Sequence, residues 1–171
     1  MTNGIPKFRS HPTIFMRHGQ TDWNAKGLLM GSTDIPLNEI GREEACKGAE
    51  ELNKAGVRAI YSSSLKRCAE TAIIVSKTLD TPVHFNSALN ERCWGIYEGR
   101  PKRERPALVN PPGGETEAEF LARIGKAFSE IPDEENLLIV THSGVIRLIF
   151  GAIAAKKMFI PHAKPIWPQS P

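Results

Sequence analysis

The amino-acid sequence predicts an α/β protein, a three-layer α/β/α sandwich around a mostly parallel sheet. Two observations predict it. Strand-type apolar runs alternate with segments whose apolar residues recur at helical spacing, the pattern of strand and helix units joined by right-handed crossovers. The first run, Thr13-Ile14-Phe15-Met16, also breaks off into Arg17-His18-Gly19, as a buried parallel strand does when it delivers reactive groups to its carboxyl end. A chain of 171 residues, 40% hydrophobic and 24% charged, fits one domain with a single core. That domain is placed at residues 1–155, and 156–171 is read as a Pro-rich C-terminal tail.

After the first strand, Thr21 to Leu37 is a long irregular stretch broken by Gly27, Gly31 and Pro36. Loops of that kind carry function more often than packing. Asn38 is placed as the N-cap of a helix reaching about Lys54 and closed by Gly56. Val57–Tyr61 is a short second strand, and Ser62–Ser64 offers capping hydroxyls to the next helix. Leu65, Cys68, Ala72, Val75 and Leu79 give that helix one apolar stripe to face a sheet. Pro82–Phe85 reads as a third strand, and Ser87 to Gly114 as irregular chain. Thr116 and Glu119 then form a capping box, and Phe120, Ile124, Phe128 and Ile131 form the apolar face of the helix it opens. Leu137–Val140 is the fourth strand, running through Thr141-His142-Ser143-Gly144 into a helix that ends near Ala155. The tail from Lys156, with Pro161, Pro165, Pro168 and Pro171, is expected to be extended or disordered.

Charge and cysteine usage narrow the function classes. The formal charge is +3 with scattered cations, which disfavours a nucleic-acid binder and leaves small anions as partners. Cys46, Cys68 and Cys93 are an odd set with no CxxC pair, which argues against a disulfide framework and structural zinc and fits a reducing cytosol. Met1–Pro12 has no apolar stretch of signal-peptide type. The longest apolar segment, Val145–Ala155, contains Arg147 and falls short of the ~20 residues of a membrane span. A soluble, cytoplasmic protein with no membrane partner is expected. No metal or other cofactor is called for, since the acidic residues show no cluster suited to magnesium.

The chemistry gathers where strands end. Arg17 and His18 follow strand one, Arg67 lies in the first turn of the helix after strand two, and His142 follows strand four. In a parallel sheet these ends share one edge, so two imidazoles and two guanidiniums converge there. Helix starts near Ser64 and Ser143 add unpaired amides and positive dipole ends. A tetrahedral dianion suits such an edge, because guanidiniums offer forked donors matched to its oxygens. His11, His84 and His162 lack that context and are read as structural. Cys68 and Cys93, without a base at recognisable spacing, are read as packing thiols.

Arg17-His18-Gly19-Gln20-Thr21, then Trp23-Asn24 and Gly31 to Leu37, resembles the signature of the histidine phosphatase superfamily, which includes cofactor-dependent phosphoglycerate mutases. Further blocks follow in the family's order from about residue 13 to 150: Tyr61-Ser62-Ser63 with Leu65, Arg67, Cys68, Thr71 and Ala72; Leu89, Glu91, Trp94-Gly95 and Glu98-Gly99; Gly113-Gly114-Glu115-Thr116; and Thr141-His142-Ser143-Gly144. The resemblance implies a phosphoglycerate mutase-like fold and a phosphohistidine mechanism. His18 would attack phosphorus, Arg17, Arg67 and His142 would hold the equatorial oxygens, and Glu91 would serve as acid and then base. Asn24, Gln20 and Ser143 are further expected phosphate contacts. Glu91, two residues after Leu89, is preferred over Glu98 and Glu115 because it matches the family's acid. Glu115 is expected to order its loop and helix start.

The sequence departs from the family pattern at Leu28 and Met30, where many members carry Arg and Gln, and at Tyr97, where Trp is expected. Family mutases close their site with a long insertion after the Glu91 block and an extended tail. Only Arg100 to Pro112 separates Gly99 from Gly113 here, so a histidine acid phosphatase-type phosphomonoester hydrolase acting on a small phosphate ester is favoured. A phosphoglycerate mutase is the alternative, and a catalytically silent phosphate-binding module a third reading from another class. The charged stretch Arg100–Arg105 lies where a lid would sit and could meet a second acidic group on the substrate. A homodimer is a further possibility.

Overall fold

The computed structural model describes residues 11–105, 110–150 and 159–167. In chain order the elements are β1 (Thr13–Arg17), α1 (Asp22–Ala25), α2 (Glu39–Glu51), β2 (Ala59–Ser62), α3 (Lys66–Leu79), β3 (Val83–Phe85), α4 (Glu117–Glu130), β4 (Leu137–Thr141), α5 (Ser143–Ile149) and β5 (Pro165–Ile166). The strands form one sheet in the order β3-β2-β4-β1-β5. Every pairing is parallel except β1 with β5.

Alternation along the strands splits the core into two layers. Ile14, Met16, Ile60, Leu138 and Val140 pack on one face with Ala49 and Leu52 from the α2 side and Cys68, Ala72 and Val75 of α3. Phe15, Leu137 and Ile139 pack on the other face with Phe120, Ile124, Ala127 and Phe128 of α4 and Val145, Ile146, Leu148 and Ile149 of α5. This is the expected three-layer sandwich. Every residue of β4 is buried, as the near-continuous apolar run Leu137–Val140 requires, and each such side chain contributes about 1.5–3 kcal/mol when fully buried.

The order of the strands fixes where the site lies. From β1 the chain moves through α2 to β2 and on through α3 to β3, always toward the same edge, so α2 and α3 share a face. From β3 it returns to β4, and α4 and α5 cover the opposite face. Adjacent strands β1 and β4 therefore send their following segments to opposite sides, which opens a crevice at their carboxyl ends. The register Arg17↔Thr141 places His18 and His142 side by side at that point. The first loop crosses α2 so tightly that a Cβ on Gly19 would overlap the Gly41 carbonyl, and one on Gly41 the Gln20 backbone.

Several local expectations are corrected. Leu65, not a serine, is the N-cap of α3 and makes no side-chain capping bond. The Lys66 N–H goes instead to Asp34 Oδ1 at 2.7 Å, while the Ser63 and Ser64 hydroxyls both donate to Asn90 Oδ1. The α2 helix ends at Glu51, before Lys54. The stretch 21–37 contains the short helix α1, held by a capping box between Thr21 and Asn24. Of the helix expected to reach Ala155, residues 151–155 lie outside the described residues. The largest correction is residues 159–167, expected to be extended or disordered. Ile160 and Ala163 are buried at 1% exposure, the Ala163 N–H donates to the Arg17 carbonyl at 2.9 Å, and β5 adds an edge strand to β1.

Candidate active site

His18 leaves β1 buried, 2% exposed, with Nδ1 2.7 Å from the Gly19 carbonyl oxygen. A carbonyl only accepts, so Nδ1 carries the proton and Nε2 keeps its lone pair. Burial, then Arg67 and Arg17, hold the His18 pKa well below the ordinary value despite that bond. The ring is therefore uncharged at neutral pH. His142 stands beside it with ring centroids 5.3 Å apart. Arg67 Nε donates to His142 Nδ1 at 3.3 Å, so Nε2 holds the proton and donates to Ser63 Oγ at 2.8 Å. Ser63 passes the chain on to Asn90. Burial, then Arg67 and His18, keep His142 uncharged as well.

The two guanidiniums are anchored by main-chain carbonyls. Arg17 Nη1 donates to the Ile160 carbonyl at 2.9 Å, and its buried Nε has no hydrogen-bond partner. Burial lowers the Arg17 pKa to about 10, with Glu91 acting against the fall, so the charge persists at neutral pH. Arg67 is fully buried. Its Nη1 and Nη2 reach the Thr33 and Gly31 carbonyls at 2.8 and 2.7 Å. With Nε on His142, three of the five donors of a guanidinium are used and one N–H on each terminal nitrogen is left for a ligand. Arg67 thus ties the first loop to His142 while it faces the crevice.

Glu91 sits across the β4 end. Its Oε2 accepts from the Gly144 N–H at 3.0 Å and its Oε1 from the Arg92 N–H at 3.1 Å. A first-turn amide of α5, expected to face the anion, is thus held by a carboxylate, as is the Lys66 amide of α3. Ser143 opens α5 and is partly exposed. Asn24 Oδ1 accepts from Thr21, and its buried Nδ2 has no partner. Gln20 is held by its neighbours, its N–H on Glu44 Oε2 and its Oε1 on Asn38 Nδ2.

The competing carboxylates have other tasks. Glu98 accepts from the Ser32, Thr33 and Trp94 amides and from the Ser32 and Thr33 hydroxyls. Burial opposes its charge, but those bonds, Thr33 foremost, pull its pKa below the ordinary value. Glu115 grips Arg123 through both oxygens at 2.7 Å, and Arg123 Nη1 in turn binds the Ala88 and Asn90 carbonyls. Cys68 is buried against His142, and burial pushes its thiol up to about 12, in keeping with a packing role. His84 stacks on Tyr61 at 5.0 Å between β2 and β3. Among the described residues no group of three or more His, Cys, Asp and Glu side chains could hold a metal ion, and no helix is long and apolar enough to cross a membrane.

The structure adds His162, which nothing in the sequence singles out, and gives surroundings to two residues of the charged stretch Arg100–Arg105. His162 lies with its ring centroid 6.0 Å from that of His18. Lys102 lies in the positive field of Arg17, Arg147 and Arg105, and desolvation followed by those charges lowers its pKa. The loop that carries Lys102 and Arg105 is fixed by Lys102 N–H on the Gly27 carbonyl, by Leu29 N–H on the Arg100 carbonyl and by Arg105 over the Trp94 ring at 4.8 Å.

A sheet of this order, with two uncharged imidazoles and two guanidiniums at its switch point, defines a phosphoglycerate mutase-like α/β protein. The chain belongs to the histidine phosphatase superfamily, branch 1, whose family model matches residues 13–162. It is 34% identical over 154 residues to a broad-specificity phosphatase of Saccharomyces cerevisiae, covering 80% of this chain and 67% of that protein. With a 2,3-bisphosphoglycerate-dependent phosphoglycerate mutase of Nocardioides it shares 38% identity over 100 residues, 56% of this chain and 40% of the mutase. Among solved structures, YhfR of Bacillus stearothermophilus superposes with a TM-score of 0.82 at 27% identity, covering 92% of this chain and 90% of that one.

Proposed function

We propose that the protein is a phosphomonoester hydrolase that works through a phosphohistidine on His18. The observation that carries this reading is the His18 Nδ1 hydrogen bond to the Gly19 carbonyl, because it leaves Nε2 as a buried, uncharged nucleophile among cationic donors. Nε2 attacks phosphorus as the ester P–O bond breaks, and Glu91 supplies the proton of the departing alkoxide. Water then attacks the phosphoryl group, Glu91 takes its proton, and the P–N bond breaks to release phosphate. Arg17 and Arg67 hold the equatorial oxygens, assisted by Asn24 Nδ2, and His142 joins them by turning its Nε2–H from Ser63 Oγ to the anion, with Gln20 and Ser143 at the margin. Positioning and electrostatics supply most of the rate.

Hydrolysis is favoured over mutation of phosphoglycerate on two counts. The likeness to the yeast phosphatase spans more of both chains than the likeness to the mutase. The stretch Arg100–Pro112 is also too short to build the closed cover that a mutase needs to keep water from its phosphoenzyme. The substrate is a small phosphorylated metabolite, and Lys102, in the field of Arg17 and Arg105, suits one with a second acidic group. Uncharged His18 and His142 support action into the acid range, and the free thiols Cys46, Cys68 and Cys93 suit a cytoplasmic setting.

The test is a panel of phosphate esters with His18→Ala as the blank, joined to brief incubation with a labelled ester and an acid or alkaline quench. Phosphate release and acid-labile, alkali-stable label that vanish together in His18→Ala are expected. Isomerisation of 3-phosphoglycerate without net phosphate release would establish the mutase instead. Phosphate binding without label or turnover would establish the silent module.

A further inference from the structure

His162 does not behave as a structural histidine. A buried imidazole that only packs is ordinarily hydrogen-bonded at its nitrogens, since an unmet polar group in the interior is costly. The His162 side chain is one-fifth exposed and its Nδ1 lies 4.0 Å from Glu44 Oε1, too far for a hydrogen bond. Its Nε2, on the other edge of the ring, is buried with no partner. The charged and titratable groups that face it come from three elements: Glu44 of α2, Arg17 and His18 at the end of β1, and Lys102 of the 99–105 loop. Burial, then Arg17 and Lys102, bring its pKa down to about 4.

The surroundings specify what this nitrogen is for. An acceptor for Nε2–H in a field set by Arg17 and Lys102 carries negative charge. The ring stands 6.0 Å from the His18 ring, close enough for an anion held at His18 to meet it. Arg17 Nε, a further buried donor without a partner, belongs to the same strand end. The segment that carries His162 is fixed there rather than resting loosely, with the Ile160 carbonyl on Arg17 Nη1 and the Ala163 N–H on the Arg17 carbonyl.

We propose that His162 is a third imidazole of the phosphoryl site, which takes up a proton when a tetrahedral dianion binds and then bridges a non-bridging oxygen, through Nε2–H, to the Glu44 carboxylate, through Nδ1–H. The inference rests on the phosphatase reading for the location of the anion and adds to it a residue and a proton. The proton balance is simple. The free site holds His162 uncharged because burial, and then Arg17 and Lys102, disfavour a further positive charge. An arriving dianion offsets both cations, the imidazole becomes imidazolium, and one proton is drawn from solvent for each anion bound.

Sulfate tests this, because it is a tetrahedral dianion that does not itself titrate between pH 5 and 8. Sulfate binding to the full chain is measured by calorimetry at pH 5.5, 6.5 and 7.5 in two buffers of different ionisation enthalpy, alongside phosphate-ester turnover. Wild type should take up a proton on binding and hold sulfate more tightly as pH falls. His162→Phe should abolish the uptake and weaken binding about 10- to 100-fold, the scale of one charge-assisted hydrogen bond. His162→Asn, which keeps an uncharged donor, should recover part of the affinity and none of the uptake. Should His162→Phe fail to fold, Glu44→Gln reads the same coupling by reducing the uptake with His162 intact. Unchanged affinity and uptake in these variants, or no uptake in wild type, would overturn the proposal. Turnover separates the two readings: an active wild type with an indifferent His162 sinks this inference alone, whereas a wild type that never releases phosphate sinks the phosphatase reading.

Discussion

Glu91 hangs from the first turn of α5: its Oε2 takes the Gly144 N–H at 3.0 Å, and Gly144 has no room for a side chain, because a Cβ there would overlap Glu91 Oε1. Sequence and geometry meet in this pair. A glycine two residues past His142 makes space for the carboxyl, and its amide aims it. Gly144→Ala should therefore act as a mutation of Glu91. For alkyl phosphates, whose alkoxide needs a proton to leave, kcat is expected to fall about 100-fold, the lower end of what a general acid contributes. For p-nitrophenyl phosphate, whose phenolate leaves without one, the phosphorylation step should change little. Rapid-quench kinetics with both substrate types checks this, and an equal loss in each would mean that the alanine acts through the fold rather than through Glu91.

The three imidazoles of the proposed site keep phosphorylation insensitive to pH down to about 5 and make stability depend on pH in a set direction. His18 and His142 have folded pKa values well below 6.5, and that of His162 is about 4. An ordinary imidazole would be about 97% protonated at pH 5, so the labelled phosphoenzyme formed at pH 5 should match that at pH 7 only because His18 stays uncharged. For stability, the unfolded chain binds more protons than the folded one between those depressed values and about 6.5. Stability then rises with pH through that window and levels off above it, with a slope of up to about 1.4 kcal/mol per pH unit for each histidine. Urea unfolding at pH 7, 6 and 5 measures this, and His162→Phe should flatten the slope.

The layers and the strand-end residues were legible because each rests on a local signal. Ile14, Met16, Leu138 and Val140 alternate with Phe15, Leu137 and Ile139 between the two core layers, a period of two that can be read directly. Arg17, His18 and His142 follow such runs, and parallel strands place their ends together. What could not be read was long-range and short of pattern. His162 follows a proline in a segment with no periodicity, and the docking of Ile160 and Ala163 on Arg17 brings it to His18. The α3 cap was misread for a related reason: the Ser63 and Ser64 hydroxyls are drawn to Asn90, some 26 residues away in sequence, a partner that no local rule anticipates.

In the proposed mechanism Arg67 is as much a fastening as an anion donor. Its guanidinium reaches Gly31, Thr33 and His142 at once, a fork that an ammonium cannot reproduce. Arg67→Lys keeps the charge and loses two of these bonds, so the first loop and the His142 ring should both loosen. The expected result is a fall in kcat/KM of about 100- to 10,000-fold, from two bonds to a charged group worth about 1.5–3 kcal/mol each when not regained. A lower melting temperature should accompany it. A variant with normal stability and kinetics would show that Lys can satisfy the same carbonyls.

The docked segment 159–167 can be tested at two neighbouring side chains. Ile160 is 1% exposed and joins the core layer of Phe15, Ile139 and Ile146, whereas its neighbour Phe159 is 82% exposed. A disordered tail would make the two equally dispensable. In the docked arrangement Ile160→Ala removes buried methyl groups and leaves a cavity, which costs about 2–5 kcal/mol, while Phe159→Ser stays within about 0.5 kcal/mol of wild type. Denaturant unfolding of the pair gives the answer directly. Because the Ile160 carbonyl also holds Arg17 at 2.9 Å, the alanine variant should bind phosphate more weakly at temperatures where it remains folded, and equal stability of the two variants would mean that residues 159–167 are not part of the core.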